Sequence, residues 1–485
     1  MKDSNICDSI VWLRRDLRVH DHTSFASAIN KGGRILPLFI FDEEILTRFK
    51  NKDDFRLSFI SDSLMLINQE LEPFFGSILI LYGKASEVIP KVVLALKAKA
   101  LFAAKDYEPE TIERDNKVKK ILEDNDIEFI LEEDHALLPV ESVKKSDNSP
   151  YRVYTAYKKM WKNTINQLDF SERIVNLEKI KFCNIEIAKN ILEAAGLKII
   201  KSKHSSDILK EIGYNYNVLP SYWKIDGAQK RLNFFANKKL ASYKTDRNFM
   251  AKDGTSRLSA YIRFGLISIR ECYRAVEGRP GADDWINELI WRDFYIMILY
   301  NFPFSSKTEL VEQYRNKIEW LHNTDSLEAW KKGMTGFPLI DAGMRQLITT
   351  GWMHNRLRMI TASFMCKQLL IDWRIGEEFF AQYLMDYDMA PNVGGWQWCS
   401  STGTDAQPYF RIFNATNQAK EYDTDGEFIR KFVPELKNIP TKYIFEPKKY
   451  DRNIKYPAPI IDQKLARERA IQTFKRARKK DYAEY

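Results

Sequence analysis

Residues 386–414, DYDMAPNVGGWQWCSSTGTDAQPYFRIFN, bring three acids, two asparagines, adjacent glycines, two tryptophans and a polar turn cluster into one short stretch. Structural packing does not ask for that mixture, and the stretch reads as a functional loop. Gly394-Gly395 would let the backbone approach a bound group closely, at the entropic cost glycine carries in ordered structure. Eight of the eleven tryptophans (Trp285, Trp291, Trp320, Trp330, Trp352, Trp373, Trp396 and Trp398) lie in the second half of the chain. Several stand beside Arg or Asn rather than aliphatics, as in GWMHNRLRM (351–359) and NVGGWQW (392–398). Taken singly they read as an aromatic core, but indoles beside charges are also the stacking surfaces that nucleobases and flavins use.

Other chemistries are missing. The first third holds no GxGxxG after a strand and no GxxxxGK[ST], so a cofactor there would be held without the usual phosphate-cradling loop. Cys7, Cys183, Cys272, Cys366 and Cys399 are scattered, with no CxxC pair and no histidine at metal-ligand spacing. Neither a disulfide framework nor a metal site reads out, and the thiols are expected to be reduced and cytoplasmic. Lys and Arg outnumber Asp and Glu by 75 to 66, a net charge of +9 that suits a polyanionic partner without establishing one. The N-terminus, MKDSNICDSIVW, carries Asp3 and Asp8 ahead of any apolar run, and no run of about 18 apolar residues occurs, so neither secretion nor membrane insertion is expected.

The elements that must position these residues fall into two classes. In the first third, apolar runs at 9–13, 35–41, 77–82 and 100–104 alternate with helical-period stretches such as 55–71 and 85–96, the pattern of a parallel α/β sheet. From about Asp134 to Pro220 the pattern weakens into polar, Lys-rich sequence broken by Ser149-Pro150 and Leu219-Pro220. Helical periodicity returns at 228–239, 285–300, 340–349, 355–370 and 377–384, with few β-branched runs. The expected organisation is a Rossmann-like α/β domain over 1–134, a connector over 135–220 and a large, nearly all-helical domain over 221–485. With 485 residues, 45% hydrophobic and 29% charged, the chain suits such a multidomain globular protein. The basic segment 464–480 reads as a solvated helix.

WINELIWRDFY (285–295), TGFPLIDAGMRQLITTGWMHNRLRMI (335–360), LIDWRIGEEFF (370–380), DGTSRLSAYIRFG (253–265), VWLRRDLRVHDH (11–22) and the 386–414 stretch resemble the photolyase and cryptochrome family. The likeness runs in order through nearly the whole chain. It implies FAD in the helical domain and an antenna pigment at the α/β domain. On matching positions, Tyr243, Thr255, Ser256, Arg257, Leu258 and Ser259 would hold the flavin phosphates. Trp285, Arg292, Asn355, Arg358, Asp386 and Asp388 would line the rest of the pocket, with Arg358 and Asp386 an ion pair near the ring. Asn392 matches the position facing the flavin N5, where an amide, unlike a carboxylate, trades no protons and favours a long-lived reduced flavin anion.

The resemblance also implies a substrate pocket of Glu288, Trp291, Asn355, Arg356, Met359 and Trp398, with Arg247 reaching the DNA backbone. Glu288, protonated or strongly hydrogen-bonded, would stabilise charge developing on the substrate carbonyl. Trp396, Trp373 and Trp320 match the family's electron relay. Enzymes for the (6-4) photoproduct place histidines where Asn355 and Met359 stand, because that chemistry needs proton transfer. The expected function is therefore light-driven repair of cyclobutane pyrimidine dimers in ultraviolet-damaged DNA by a monomer that is cytoplasmic, bacterial in type and nucleoid-associated when bound. His354 reads as a hydrogen-bonded residue without a catalytic role. The alternatives are a blue-light receptor that binds flavin without repair and a flavin-free nucleic-acid binder. Folate-binding relatives carry Asn-Glu where this chain has Glu110-Thr111, whereas Arg56 and Asp106 resemble deazaflavin contacts or, equally, solvated surface charges. Deazaflavin, methenyltetrahydrofolate and no antenna all stay open.

Overall fold

In the computed structural model, which describes residues 6–479, the chain divides into two units. The first comprises Met1–Ser142, Asn163–Asn237 and Arg257–Gly278, and the second Val143–Lys162, Lys238–Ser256 and Arg279–Tyr485. Asp3 and Lys480 lie outside the described residues.

The first unit is built on a seven-stranded sheet: β1 (Ser9–Leu13), β2 (Arg34–Asp42), β3 (Leu79–Gly83), β4 (Ala100–Ala104), β5 (Glu128–Glu132), β6 (Lys181–Phe182) and β7 (Lys198–Ile199). The order is β5-β4-β1-β2-β3-β7, with β6 on β2, and every pairing is parallel except β3 with β7. β1 and β4 are buried along their whole length, so both read as continuous apolar runs without alternation. β6 and β7 arise in the polar stretch after Asp134.

Strand order reverses between β1 and β4, where open α/β sheets form a crevice beyond the strand ends. Here that region holds ion pairs: Arg14 with Asp115 at 2.6 Å, Arg114 with Asp42 at 3.4 Å and Arg15 with Asp106 at 3.0 Å. The guanidinium groups of Arg14 and Arg114 lie 4.8 and 4.6 Å from the Trp12 ring centroid. A second buried network joins Arg18 to Asp134 at 2.6 Å and Arg270 to Asp134 at 2.8 Å and Asp21 at 3.1 Å.

The second unit is helical, with no strand among its described residues. Its main helices are α1 (Tyr154–Ile165), α2 (Ala282–Asn301), α3 (Pro338–Thr350), α4 (Asn355–Ser363), α5 (Trp373–Tyr383), α6 (Met389–Ser400) and α7 (Gln463–Lys479). Trp330, Trp373 and Trp396 sit in one core with Leu339, Leu357 and Phe380, and Trp320, Met359 and Trp398 pack against it.

The reading of 386–414 as a loop is corrected: its first half is α6, and Asn392, Gly394, Gly395, Trp396 and Trp398 are helical. The reason is packing. The space a Gly394 side chain would take is filled by the ring of Tyr295, so this glycine serves a helix contact rather than a ligand. Gly376 on α5 plays the same part for Trp396, since a Cβ there would overlap the indole and meet Met365 Cε at 2.7 Å.

Candidate active site

α2 presents Glu288 and Trp291 less than one turn apart, on the face opposite an apolar side rich in Ile and Leu. Arg247 pairs with Glu288 and holds its own guanidinium carbon 5.6 Å from the Tyr243 ring centroid. Arg247 was expected at the DNA backbone; its partner in the structure is the carboxylate. Burial, the largest influence, pushes the Glu288 carboxyl above its usual range, while Arg247 and Asn287 pull it back. Trp291 lies flat on Tyr154 of α1, ring centroids 3.5 Å apart and planes 4° from parallel. The Tyr154 hydroxyl donates to Asn287 Oδ1 at 2.7 Å, and Lys158 Nζ donates to the same oxygen at 2.6 Å.

A second group gathers around α4, α5 and α6. Arg358 donates to both Asp386 oxygens at 3.0 and 2.8 Å, which confirms that pair, and Arg292 meets Asp388 at 3.2 Å. Asn392 Nδ2 donates to Glu377 Oε1 at 3.0 Å. A carboxylate only accepts, so this bond fixes the amide: nitrogen toward Glu377, carbonyl oxygen available to a donor such as a ring N–H. Trp285 is buried, Asn355 is exposed at the first position of α4, and Met359 and Trp398 are half-buried. Arg356 donates to Asn248 and stacks on Tyr422, its guanidinium carbon 3.8 Å from the ring centroid. His354 caps α4, its Nδ1 accepting from the Arg356 N–H at 3.2 Å.

Tyr243, Thr255 and Ser256 belong to the second unit, and Arg257, Leu258 and Ser259 to the first. Arg257 has φ +51°, in the left-handed region. Gly254 is required, because a Cβ would stand 2.6 Å from the Asp246 carbonyl oxygen. In the first unit, Arg56 and Asp106 are not the solvated charges they could have been: both are buried, Arg56 against Asp54 at 2.6 Å and Asp106 against Arg15. Burial resists ionisation of Asp106, yet Arg15 and its cationic neighbours hold the carboxyl well below the usual range. Glu110 pairs with Arg48.

Tyr154, Glu377 and Glu309 were not anticipated. Tyr154 could have been found, because Tyr154, Tyr157 and Trp161 recur at helical spacing. The two glutamates act through tertiary contacts that no local pattern announces.

This chain matches two family models, "DNA photolyase" over residues 9–174 and "FAD binding domain of DNA photolyase" over 285–476. It is 37% identical to a deoxyribodipyrimidine photo-lyase of Alkalihalophilus pseudofirmus, over 96% of this chain and 97% of that one. Its fold is similar to a class III photolyase of Agrobacterium tumefaciens (TM-score 0.80, 29% identity, 98% of both chains) and to a Synechocystis cryptochrome (TM-score 0.82, 25% identity, 96% of this chain and 99% of that one). Among the described residues, no helix is long and apolar enough to cross a membrane.

Proposed function

The chain belongs to the DNA photolyase family, and from that premise we propose that it repairs cyclobutane pyrimidine dimers in ultraviolet-damaged DNA, as a monomer, under light. FAD, when bound, supplies the photo-excited electron that opens the dimer. The residues present fit that group. Arg358–Asp386 and Arg292–Asp388 are fixed polar pairs for its ring and ribityl region, and the Asn392 carbonyl faces away from Glu377, ready to accept from a reduced ring N–H. Tyr243, Thr255 and Ser256 of the second unit supply hydroxyls and backbone N–H groups for the phosphates.

The observation that carries the reading is that Glu288, paired with Arg247, lies on the same helix as the stacked Trp291. Photolyases are among the enzymes that take their target base out of the stack, and a poorly stacked dimer lowers that cost. Trp291 and Trp398 offer apolar walls to the extruded bases. Burial raises the Glu288 carboxyl above its usual range and Arg247 pulls it back; when protonated, Glu288 would donate to the substrate carbonyl as negative charge develops there, and Arg247 would neutralise nearby phosphate. Asn355, Arg356 and Met359 complete the pocket, and none of them shuttles protons at neutral pH, which favours the dimer over the (6-4) photoproduct. Trp396, Trp373 and Trp320 form a relay that returns electrons to an oxidised flavin.

The test is dimer repair by reduced protein under blue light, against a dark control and Glu288→Ala. Light-dependent loss of dimers, weakened in the variant, supports the reading. The likeness to a cryptochrome makes a photoreceptor the second reading, and bound flavin without repair of any damaged DNA would select it.

A further inference from the structure

Trp373 opens α5, where Asp372 caps the helix, and it is 1% exposed. Its indole N–H points at Glu309 Oε1, 3.4 Å away. Glu309 is equally buried, and its other oxygen accepts from Arg374 Nη2 at 2.9 Å and from the Asn316 backbone N–H at 3.2 Å. Arg374 also donates to both Asp372 oxygens, at 3.0 and 3.1 Å, and its guanidinium carbon lies 4.9 Å from the Trp373 ring centroid. The indole nitrogen thus faces a buried carboxylate whose side-chain partner is Arg374, while Arg315 donates to the Glu309 backbone carbonyl at 3.2 Å. Trp396 differs: its indole N–H is buried without an acceptor among the described residues.

For a neutral indole a 3.4 Å contact is long and weak. A one-electron-oxidised indole carries a full positive charge, and its N–H becomes a charge-assisted donor, a class of bond about twice as strong. The first turn of a helix carries positive partial charge, and Arg374 adds more, so both oppose an oxidised Trp373. Glu309 and Asp372 offset them, and only Glu309 does so at the indole nitrogen.

We infer that Glu309 is a positioning residue of the relay: it favours oxidised Trp373 over oxidised Trp396, and so drives the electron vacancy outward. This rests on the relay described under Proposed function. In the step concerned, one electron passes from Trp373 to oxidised Trp396, which returns to neutral while Trp373 becomes the cation. The indole proton stays on nitrogen, held toward Glu309, and no covalent bond changes. Trp320 then gives one electron to Trp373, and a soluble thiol restores Trp320, losing one electron and one proton on the way to its disulfide.

Glu309→Gln keeps the shape and removes the charge, and Glu309→Asp keeps the charge. Laser-flash absorbance of the FAD-loaded, oxidised protein with excess thiol reads the tryptophan radicals, and steady illumination reads flavin photoreduction. Glu309→Gln should lower both the long-lived radical yield and the photoreduction rate several-fold, with Glu309→Asp recovering most of the loss. Ultraviolet resonance Raman of the flavin-free protein should show a weakened indole N–H hydrogen bond in Glu309→Gln only. Unchanged radicals and photoreduction in Glu309→Gln, where Trp373→Phe abolishes both, would overturn the inference. Unchanged photoreduction in Trp373→Phe would overturn it together with the relay. Repair by chemically reduced Glu309→Gln protein judges the repair reading separately, since it needs no relay.

Discussion

Replacing Tyr154 with alanine removes the floor on which Trp291 lies. The two rings are 3.5 Å apart and nearly parallel, Tyr154 is 7% exposed, and its edge also meets Phe294 at 5.6 Å. Truncating a buried aromatic of this kind costs about 3–5 kcal/mol of stability. Tyr154→Phe keeps the stack and loses only the hydroxyl bond to Asn287, about 1 kcal/mol. The stack itself contributes about 1 kcal/mol, which a double-mutant cycle with Trp291→Ala isolates in urea unfolding. If Trp291 is a wall for extruded bases, losing its fixed orientation should weaken dark binding of a dimer-containing oligonucleotide about tenfold, equivalent to 1.4 kcal/mol. Fluorescence anisotropy reads that affinity, with Tyr154→Phe expected to match the wild type. Folded Tyr154→Ala protein that binds as tightly as the wild type, or a cycle with no coupling, would refute the reasoning.

Gly376→Ala should lower stability by about 1–3 kcal/mol, because the added methyl overlaps the Trp396 indole and crowds Met365, and the urea midpoint should fall together with a change in tryptophan emission. His135 in the first unit is held neutral, its pKa pushed down from 6.5 to about 3 by burial and then by Arg15. Between those values the unfolded histidine carries a proton that the folded one does not, so falling pH favours unfolding. Stability should decline by about 1.4 kcal/mol per unit as the pH drops from 6.5 toward 3, read from urea midpoints across a pH series. Asp21 and Asp134, depressed by Arg270 and Arg18 against their burial, add to the loss below about pH 4.

The sequence made some elements plain because local pattern and tertiary role agree. The runs at 9–13 and 100–104 coincide with β1 and β4, and 55–71 with the helix Phe55–Leu71, capped by Asp54. β5 stayed hidden because it is only partly buried, and β6 and β7 because two residues carry no periodicity. α6 was misread because Pro391, Asn392 and two glycines carry the signature of a turn. Pro391 falls in the first helical turn, where it is tolerated, and the Tyr295 ring fills the notch that Gly394 leaves. At the site, the resemblance to the photolyase and cryptochrome family, not local pattern, marked Glu288, Trp291, Arg358, Asp386 and Asn392. The partners that fix their orientation are Tyr154, far off in sequence from Trp291, and Glu377, on the preceding helix α5, and their effect exists only after packing.

The division into units also sets the order in which the protein can be assembled on the ribosome. The chain passes from one unit to the other five times before Arg279, so neither unit is a contiguous stretch that can finish folding as it emerges. Tyr154 leaves the ribosome about 140 residues ahead of Trp291, the ring it must lie against. At typical synthesis rates, Tyr154, Tyr157 and Trp161 wait on the order of ten seconds for their partners in α2. An aromatic face left uncovered for that time is a natural client for a chaperone, and a nascent chain stalled between residues 165 and 280 should be more prone to aggregation than the finished protein.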